Sequence, residues 1–403
     1  MDDTTPTRRL AVRATAAGAR HVRAGHPWLF DGSIDAVSPD DGAAGDLAVV
    51  FDPKRKFAGI GLFDPDSPIR VRLLHHGDPR PIDAAFFRER IEAAVERRRP
   101  LLDRRDTTGY RLVHGENDGL GGIVVDRYAE VSAIKVYTPA WEPHLGAVVD
   151  ALQEVLPAHT VVVRRARAAR HGEDGAEAVV GTLPDAPVRF HEHGMVLEAD
   201  VVSGQKTGYF LDQRDNRALV RNRARGARVL DVFSSSGGFS LAAAYGGATE
   251  VTSTDLSRAA LETATRNFAH NATNPKVARC RHTTIAGDAF EVLGELRKQR
   301  RTFDLVVIDP PSFAMRASAV ERATKAYAAL TRLGLSVLEH KGVLVQSSCS
   351  SRVGPDLLRD TIERSASSAG VPVQLLEATG HALDHPIGFS EGEYLSTFVY
   401  RKL

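Results

Sequence analysis

Cysteine and long apolar runs are scarce in this chain of 403 residues. Cys280 and Cys349 are the only two cysteines, and neither belongs to a CxxC pair. The sequence thus gives no support for a disulfide framework or a cysteine zinc site, and we expect no metal site. No stretch approaches the roughly 20 consecutive apolar residues that span a bilayer. Residues 1–10 contain no apolar signal core, so we expect a cytoplasmic protein that does not enter a membrane.

An excess of positive charge is also lacking, because the formal net charge is +1. This value argues against a protein that coats nucleic acid through general basicity. Arginine is nevertheless clustered at 97–99 with 104 and 105, at 164–170, and at 221–228. These clusters could contact phosphates. The alternative is that an arginine-rich chain uses this residue for ordinary structural pairs.

Three segments with different periodicity follow one another along the chain. Short apolar strands with Gly and Pro between them predict a small all-β barrel or sandwich at residues 9–78. An amphipathic helix at 86–99 looks like a connector, and an α+β unit follows it, so that together they fill residues 79–200. The polar, glycine-containing interval 169–184 is predicted to be a loop or a mobile hairpin.

Strand and helix signals alternate through residues 201–403, which predicts an α/β fold with a Rossmann-like, doubly wound parallel sheet. The predicted strands are 228–233, 250–255, 303–308 and 342–347, and the predicted helices are 256–269, 290–297 and 318–338. In such a sheet, ligands bind at the carboxyl ends of the strands. Those ends are therefore the places to look for chemistry.

An acid and a small-residue turn end the first of these strands. Asp231 is followed by Phe233, Ser235 and Gly237, and the chain then enters a helix. Glycines allow a ligand to approach the backbone, and a helix N-terminus can receive a carboxylate. The pattern is not GxGxxG, which disfavours a nicotinamide cofactor. The alternative is a tight strand-to-helix connection without a ligand.

Two further acids follow at the expected spacing. Asp255 ends the second strand about 20 residues after the turn, where a carboxylate can accept hydrogen bonds from the ribose of a nucleoside cofactor. Asp288 stands where an adenine amino group could be read. The alternative for each acid is a helix N-cap.

The strand at 303–308 ends in Asp309, Pro310, Pro311, Ser312 and Phe313. Prolines fix the turn and remove N–H donors, so that backbone carbonyls and the Asp309 carboxylate can face a base edge. The alternative is that the prolines only terminate the strand.

A thiol follows the last of the four strands. Cys349 lies among serines directly after the apolar run at 342–347, which favours a nucleophile over a small buried residue. Cys280 lies between Arg279 and Arg281 and is interpreted as structural.

The chain resembles the large-subunit ribosomal RNA methyltransferase I family, which makes 5-methylcytosine, and the resemblance covers nearly the whole chain. The motifs that carry it are residues 25–30 (GHPWLF), which resemble that family's PUA domain, 119–128, 203–214 (SGQKTGYFLDQR), 384–386 and 391–395. The string at 203–214 is the most specific of them, since it resembles the entry into the family's catalytic domain.

The resemblance implies that S-adenosylmethionine is the cofactor and that Cys349 is the nucleophile. It places around the cofactor the residues Phe210, Gln213, Asp231, Phe233, Ser235, Gly237, Asp255, Asp288, Asp309 and Pro310. Asp309 would also stabilise the reacting base. The implied partner is RNA, namely 23S ribosomal RNA, and a homodimer is left open. Ser312 departs from the common pattern, because many RNA cytosine-5 methyltransferases carry a second cysteine in the Asp-Pro-Pro segment.

Two other functions remain open at this point. A methyltransferase that acts on a guanine nitrogen would use the Asp-Pro-Pro edge without a thiol. A ribosome assembly factor would bind RNA without catalysis. A requirement for Cys349 would distinguish cytosine C5 methylation from guanine nitrogen methylation. Affinity for S-adenosylmethionine would distinguish an enzyme from a non-catalytic assembly factor.

Overall fold

A computed structural model describes residues 8–166, 175–314 and 316–403 of the chain. Contacts divide the chain into two compact units. The first comprises Met1–Val188, Ala199–Tyr209 and Leu383–Phe389, and the second comprises Arg189–Glu198, Phe210–Ala382 and Ser390–Leu403. The first two predicted domains therefore fall largely in one unit, and seven residues near the end of the chain belong to that unit as well.

The first unit contains two sheets. Its elements are β1 (Arg9–Ala14), α1 (Ala16–Arg23), β2 (Trp28–Phe30), β3 (Ile34–Ser38), β4 (Leu47–Phe51), β5 (Phe57–Phe63), β6 (Ile69–His76), α2 (Ala84–Arg97), α3 (Arg99–Leu102), β7 (Gly109–His114), β8 (Ile123–Tyr128), β9 (Val131–Val136), α4 (Leu145–Val155), β10 (Thr160–Arg165) and β11 (Ala176–Val180).

The six-stranded sheet has the order β2-β6-β5-β4-β1-β3. Alternation of buried and exposed residues along β1 places Leu10, Val12 and Ala14 in its core. The sequence predicted an all-β domain here, but the structure adds α1, which begins where the Thr15 side chain accepts a hydrogen bond from the Gly18 backbone N–H at 3.0 Å. Eight residues with only three buried positions give too short a pattern to predict this helix.

The five-stranded sheet has the order β11-β10-β9-β8-β7 and packs with α2 and α4. The ring of Phe87, on α2, lies 6.0 Å from that of the fully buried Trp141. The predicted amphipathic helix is therefore a core element of this unit and more than a connector. Strand β11 lies inside the interval predicted to be a loop or hairpin, whose residues 169–174 lie outside the described part of the chain.

The second unit alternates strands and helices. Its elements are β12 (Val188–Glu192), β13 (Met195–Ala199), α5 (Arg214–Arg223), β14 (Arg228–Val232), α6 (Gly238–Gly246), β15 (Glu250–Asp255), α7 (Arg258–His270), α8 (Pro275–Arg279), β16 (Arg281–Ala286), α9 (Ala289–Lys298), β17 (Phe303–Ile308), α10 (Val320–Ser336), β18 (Leu338–Ser348), α11 (Pro355–Ser368), β19 (Val373–Thr379) and β20 (Ser396–Lys402).

Its seven-stranded sheet has the order β16-β15-β14-β17-β18-β20-β19. Strands β14 to β18 are parallel, and β20 pairs antiparallel with both β18 and β19. The predicted Rossmann-like α/β fold is confirmed, and the four predicted strands are parallel; the antiparallel strands β19 and β20 were not among the predicted ones. Parallel strands buried on both faces read as continuous apolar runs, as Leu305–Ile308 does.

Several arginines of the predicted basic clusters form internal ion pairs. Arg98 is fully buried and donates to both carboxylate oxygens of Asp118, at 2.8 and 2.7 Å. Arg228 pairs with Asp304 and Glu339. These arginines are structural, as the alternative interpretation held, while Arg167 and Arg170 lie outside the described residues. Among the described residues, no helix combines the length and apolar character that crossing a membrane requires.

Candidate cofactor and catalytic site

The predicted site residues of the second unit lie at one edge of its sheet. Asp231 is the penultimate residue of β14 and Asp255 is the last residue of β15. Asp309 directly follows β17 and Cys349 directly follows β18. Because β14 to β18 are parallel, their carboxyl ends share an edge, which is where ligands bind in open α/β sheets.

The turn after β14 has an unusual backbone. Phe233, Ser235 and Gly237 have φ angles of +63°, +47° and +77°, a left-handed region that is costly for residues with a Cβ. A Cβ at Gly237 would also lie 2.6 Å from the Cβ of Ala264. The turn is therefore tightly built, and strain of this kind concentrates at functional sites.

Asp231 is fully buried at the base of this turn. Its Oδ2 accepts hydrogen bonds from the Ser240 backbone N–H at 2.9 Å and from the Ser240 hydroxyl at 2.6 Å. Its Oδ1 has no hydrogen-bond partner among the described residues. Burial raises the pKa of Asp231 to about 7, although the bonds from Ser240 act in the opposite direction. A buried carboxylate with one open oxygen suits a cationic ligand group.

Asp255 connects the turn after β14 to β15 through a hydrogen bond. Its Oδ2 accepts from the Ser235 backbone N–H at 2.9 Å, and its Oδ1 accepts from the Ser257 N–H at 2.9 Å. The N-cap of α7 is Ser257, so capping is not the role of Asp255. Each carboxylate oxygen can accept a further hydrogen bond, so Asp255 retains capacity for ribose hydroxyls.

Asp288 does cap a helix. Its exposed side chain accepts from the backbone N–H groups of Phe290 and Glu291, at 2.9 and 3.2 Å, at the start of α9. The capping alternative is therefore correct for this residue. One carboxylate oxygen makes both bonds, which leaves the other oxygen for a second role.

Sequence reasoning missed Leu256, which follows Asp255 directly. Its side chain is 76% exposed, the largest exposure among the large hydrophobic residues described as exposed. An exposed apolar side chain beside an acid at a strand end can make apolar contact with the ring of a ligand. The available signal was an apolar residue immediately after the acid at a strand end.

Asp309 is joined to the N-cap residue of α5 by a side-chain hydrogen bond. Gln213 Nε2 donates to Asp309 Oδ1 at 2.7 Å, and Asn216 Nδ2 donates to Gln213 Oε1 at 2.6 Å. Asn216 is buried and bonded to Thr397, on β20. Phe210 lies directly before the helical turn Leu211–Gln213 that carries Gln213. Gln213, which belongs to the motif at residues 203–214, thus contacts the Asp-Pro-Pro segment.

Cys349 contacts that segment too. Its Sγ lies 3.6 Å from the backbone oxygen of Pro310. The neighbouring residues are fixed, because the hydroxyls of Ser348 and Tyr327 are 2.8 Å apart and the Ser350 hydroxyl donates to the Ala314 carbonyl at 3.0 Å. Cys280 differs, since it precedes the first residue of β16 at the opposite sheet edge and burial raises its pKa to about 11.

The site divides into two groups of predicted residues. Gln213, Asp309, Pro310 and Cys349 form one contact group, and Ser235 with Asp255 forms another. The described hydrogen bonds of Asp288 stay within its own helix. Three buried polar atoms near the turn have no partner among the described residues: Asp231 Oδ1, Ser234 Oγ and Thr254 Oγ1. They fit a polar cofactor, because buried polar groups normally find partners.

Comparison with known proteins identifies the domains of the chain. The family model described as S-adenosylmethionine-dependent methyltransferase matches residues 147–386, and a PUA-like domain model matches residues 12–76. A solved methyltransferase structure from Streptococcus mutans has a TM-score of 0.82 at 22% identity and covers 97% of this chain and 99% of its own. Another, crystallised with SAH, has a TM-score of 0.83 at 22% identity and covers 98% and 100%. These two structures show the same fold.

Curated relatives match at higher identity. A ribosomal RNA large subunit methyltransferase from Deinococcus radiodurans is 43% identical over 396 residues, which are 96% of this chain and 96% of the relative. Ribosomal RNA large subunit methyltransferase I from Klebsiella pneumoniae is 36% identical over 382 residues, 93% of this chain and 94% of the relative. The chain therefore belongs to the ribosomal RNA large subunit methyltransferase I family of S-adenosylmethionine-dependent methyltransferases.

Proposed function

We propose that this methyltransferase forms 5-methylcytosine in 23S ribosomal RNA through a covalent adduct between Cys349 and cytosine C6. The observation that carries the proposal is the contact of Cys349 Sγ with the Pro310 backbone oxygen at 3.6 Å. The thiol and the carboxylate of Asp309, which precedes Pro310, therefore stand at the ends of two adjacent strands. Nitrogen methylation would have no use for the thiol.

A thiol is needed because C5 of cytosine is a poor nucleophile. The Cys349 thiolate adds to C6, an S–C6 bond forms, and the electrons of the C5–C6 double bond make C5 enamine-like. Cys349 gives its proton to solvent before it adds, and N3 of the ring takes up one proton from solvent as the adduct forms. Tyr327 and Ser348 hold the strand end on which the thiol stands.

Asp309 supports the second half of this step. Negative charge that develops in the ring is neutralised when N3 takes up a proton. The Asp309 carboxylate accepts a hydrogen bond from protonated N3 or from the exocyclic amine, which stabilises the adduct. The bond from Gln213 to Asp309 Oδ1 orients that group before the base arrives. Orientation in advance avoids reorganisation during the reaction.

Bound S-adenosylmethionine supplies the electrophilic methyl group that C5 accepts. Its binding residues in this proposal are Phe210, Gln213, Asp231, Phe233, Ser235, Gly237, Asp255, Asp288, Asp309 and Pro310. A general base then removes the C5 proton, the C5–C6 double bond re-forms, the S–C6 bond breaks to release the thiolate, and N3 returns its proton to solvent. With Ser312 in the Asp-Pro-Pro segment, no second cysteine stands ready there for this last step.

The RNA substrate is supported by the names of the curated relatives and by the PUA-like match at residues 12–76. In this proposal, residues 9–78 and 79–200 position folded RNA, and residues 201–403 receive a base that has turned out of its stack. The protein would act in the cytoplasm, where ribosomal RNA is assembled into subunits.

The test replaces each cysteine separately. Cys349→Ala is expected to abolish the 5-methylcytosine signal in bisulfite sequencing of 23S ribosomal RNA from cells that carry only the variant. Affinity for S-adenosylmethionine, measured by calorimetry, is expected to stay unchanged. Cys280→Ala is the matched control and is expected to retain full methylation, because Cys280 lies at the other sheet edge.

Full methylation by Cys349→Ala would contradict the covalent mechanism. A methylated guanine nitrogen in the same RNA would then identify the alternative chemistry. Failure of the wild-type protein to bind S-adenosylmethionine would contradict the enzymatic proposal as a whole.

A further inference from the structure

A chain of hydrogen bonds runs from Asp231 across the sheet to a histidine that the proposed reaction does not use. Ser240 Oγ lies 2.6 Å from Asp231 Oδ2 and 2.6 Å from Ser253 Oγ. Ser253 Oγ in turn lies 2.8 Å from Nε2 of His282. The chain links α6, β15 and β16 to the acid at the end of β14.

The first link fixes the orientation of the carboxylate. Ser240 donates to Asp231 Oδ2 from both its backbone N–H and its hydroxyl. Both bonds go to one oxygen, so the carboxylate cannot turn without losing them. Oδ1 is thereby left buried and without a partner among the described residues. A buried oxygen without such a partner indicates that a ligand binds at Asp231 Oδ1.

The donors can all point toward Asp231. Since Ser240 Oγ donates its proton to the carboxylate, its lone pair can accept from Ser253. Ser253 then accepts from the N–H of His282. The imidazole is held flat against the ring of Phe268, with centroids 3.8 Å apart and planes 2° from parallel. Burial lowers the pKa of His282 to about 4, so the imidazole is neutral at neutral pH.

We propose that Ser240, Ser253 and His282 are positioning residues that stabilise the anionic form of Asp231 and so set the affinity of the protein for S-adenosylmethionine. S-adenosylmethionine carries a sulfonium and an ammonium group, and an anionic Oδ1 attracts a cation in a buried site. This inference rests on the proposed cofactor role of Asp231. It adds three residues that do not themselves contact substrate or cofactor.

Two carboxylates oppose the ionisation of Asp231. Asp309 at the end of β17 and Asp255 at the end of β15 both raise its pKa, and burial has the largest effect. With the chain intact this pKa is about 7. Ionisation of Asp231 therefore increases affinity for a cation as pH rises through this value, and comparing each variant with the wild type at the same pH cancels the ionisation of the cofactor's own amino group at about pH 8. Removal of a donor raises the pKa further and moves that rise to higher pH.

The experiment measures the dissociation constant of S-adenosylmethionine by calorimetry between about pH 6 and about pH 9, which brackets the ionisation. Ser253→Ala interrupts the chain and removes only a hydroxyl. Because Ser253 bonds to Ser240 and not to Asp231, we expect only part of the effect of one hydrogen bond, roughly twofold to threefold weaker binding at the acidic end, and equal binding at the alkaline end. The turnover number at saturating cofactor is expected to stay the same.

A second variant makes the test independent of Ser253. His282→Gln retains an N–H donor and is expected to bind nearly as the wild type does. His282→Phe keeps a ring against Phe268 without the donor and is expected to behave like Ser253→Ala. Thr283→Val is the matched control, because the hydroxyl bond between Thr252 and Thr283 at 3.1 Å joins the same two strands one residue further along, on the opposite face.

Equal dissociation constants for wild type and Ser253→Ala at every pH would overturn the inference. So would a loss of affinity that is independent of pH, or one that Thr283→Val reproduces. If the wild-type protein itself does not bind S-adenosylmethionine, the proposed function fails. If the wild type binds and Asp231→Asn weakens binding while the chain variants do not, only the positioning role is wrong.

Discussion

Gln213 and Asp309 are joined by a hydrogen bond of 2.7 Å between Nε2 and Oδ1, although 96 residues separate them in the sequence. Because Gln213 in turn accepts from Asn216 at 2.6 Å, its amide has a fixed orientation. The nitrogen must face Asp309. The site therefore depends on which end of the amide is the donor.

Gln213→Glu reverses that relationship. A carboxylate would face the carboxylate of Asp309, and the repulsion is expected to lower kcat/KM for methylation by a factor of about 100 or more, given roughly 3 kcal/mol for a disrupted charged contact. Gln213→Ala removes one bond and is expected to cost roughly tenfold. Gln299→Glu, on the exposed end of α9, is the control and should leave kcat/KM unchanged. Similar activity of both Gln213 variants would contradict the role of repulsion.

Gly237→Ala is expected to destabilise the protein by roughly 1–3 kcal/mol, because the new Cβ would meet Ala264 at 2.6 Å and φ is +77°. Affinity for S-adenosylmethionine should fall with it, since the turn must move. Gly294 is the matched control: it lies inside α9 with open space around it, so Gly294→Ala should stabilise by about 0.5–1 kcal/mol. Urea unfolding measures both. A stable Gly237→Ala variant with full affinity would show that the turn tolerates a side chain.

Glu192 and Arg217 form a buried ion pair in the second unit, with two hydrogen bonds of 2.6 Å. Glu192→Gln is expected to cost about 3–5 kcal/mol of unfolding free energy, since the guanidinium would lose its counter-charge while buried. Glu321→Gln breaks the exposed pair with Lys325 and should change the unfolding free energy by less than about 0.5 kcal/mol. Equal effects in urea unfolding would mean that solvent reaches the first pair.

The sequence predicted strand ends well and long-range contacts poorly. Strands β15 and β17 have the predicted bounds. Strand β17 is an apolar run that stops at an acid, and β15 is rich in β-branched residues and ends in an acid, so both signals are local. Strands β19 and β20 were not predicted. Strand β19 has no buried residue, so its pattern gives no periodic signal, and the antiparallel direction of β20 depends on a connection that periodicity does not encode.

For the site residues too, local features were predicted and long-range contacts were not. The positions of Asp231, Asp255, Asp309 and Cys349 at one sheet edge follow from strand order alone. The partners that orient them do not, because Asn216 and His282 reach the site only after distant elements have packed. Nothing near His282 in the sequence marks it, whereas Leu256 could have been identified from its place after Asp255.

Strand β20 lies between β18 and β19 in the sheet, although it follows both in the sequence. During synthesis, β18 therefore emerges from the ribosome with one edge unpaired, and that edge remains open until residues 396–402 appear. An open edge on a buried apolar strand is a template for wrong pairing. Cys349, the proposed nucleophile, directly follows β18 and thus belongs to the last part of the sheet to be completed. An unfinished chain would carry this thiol beside an incomplete sheet.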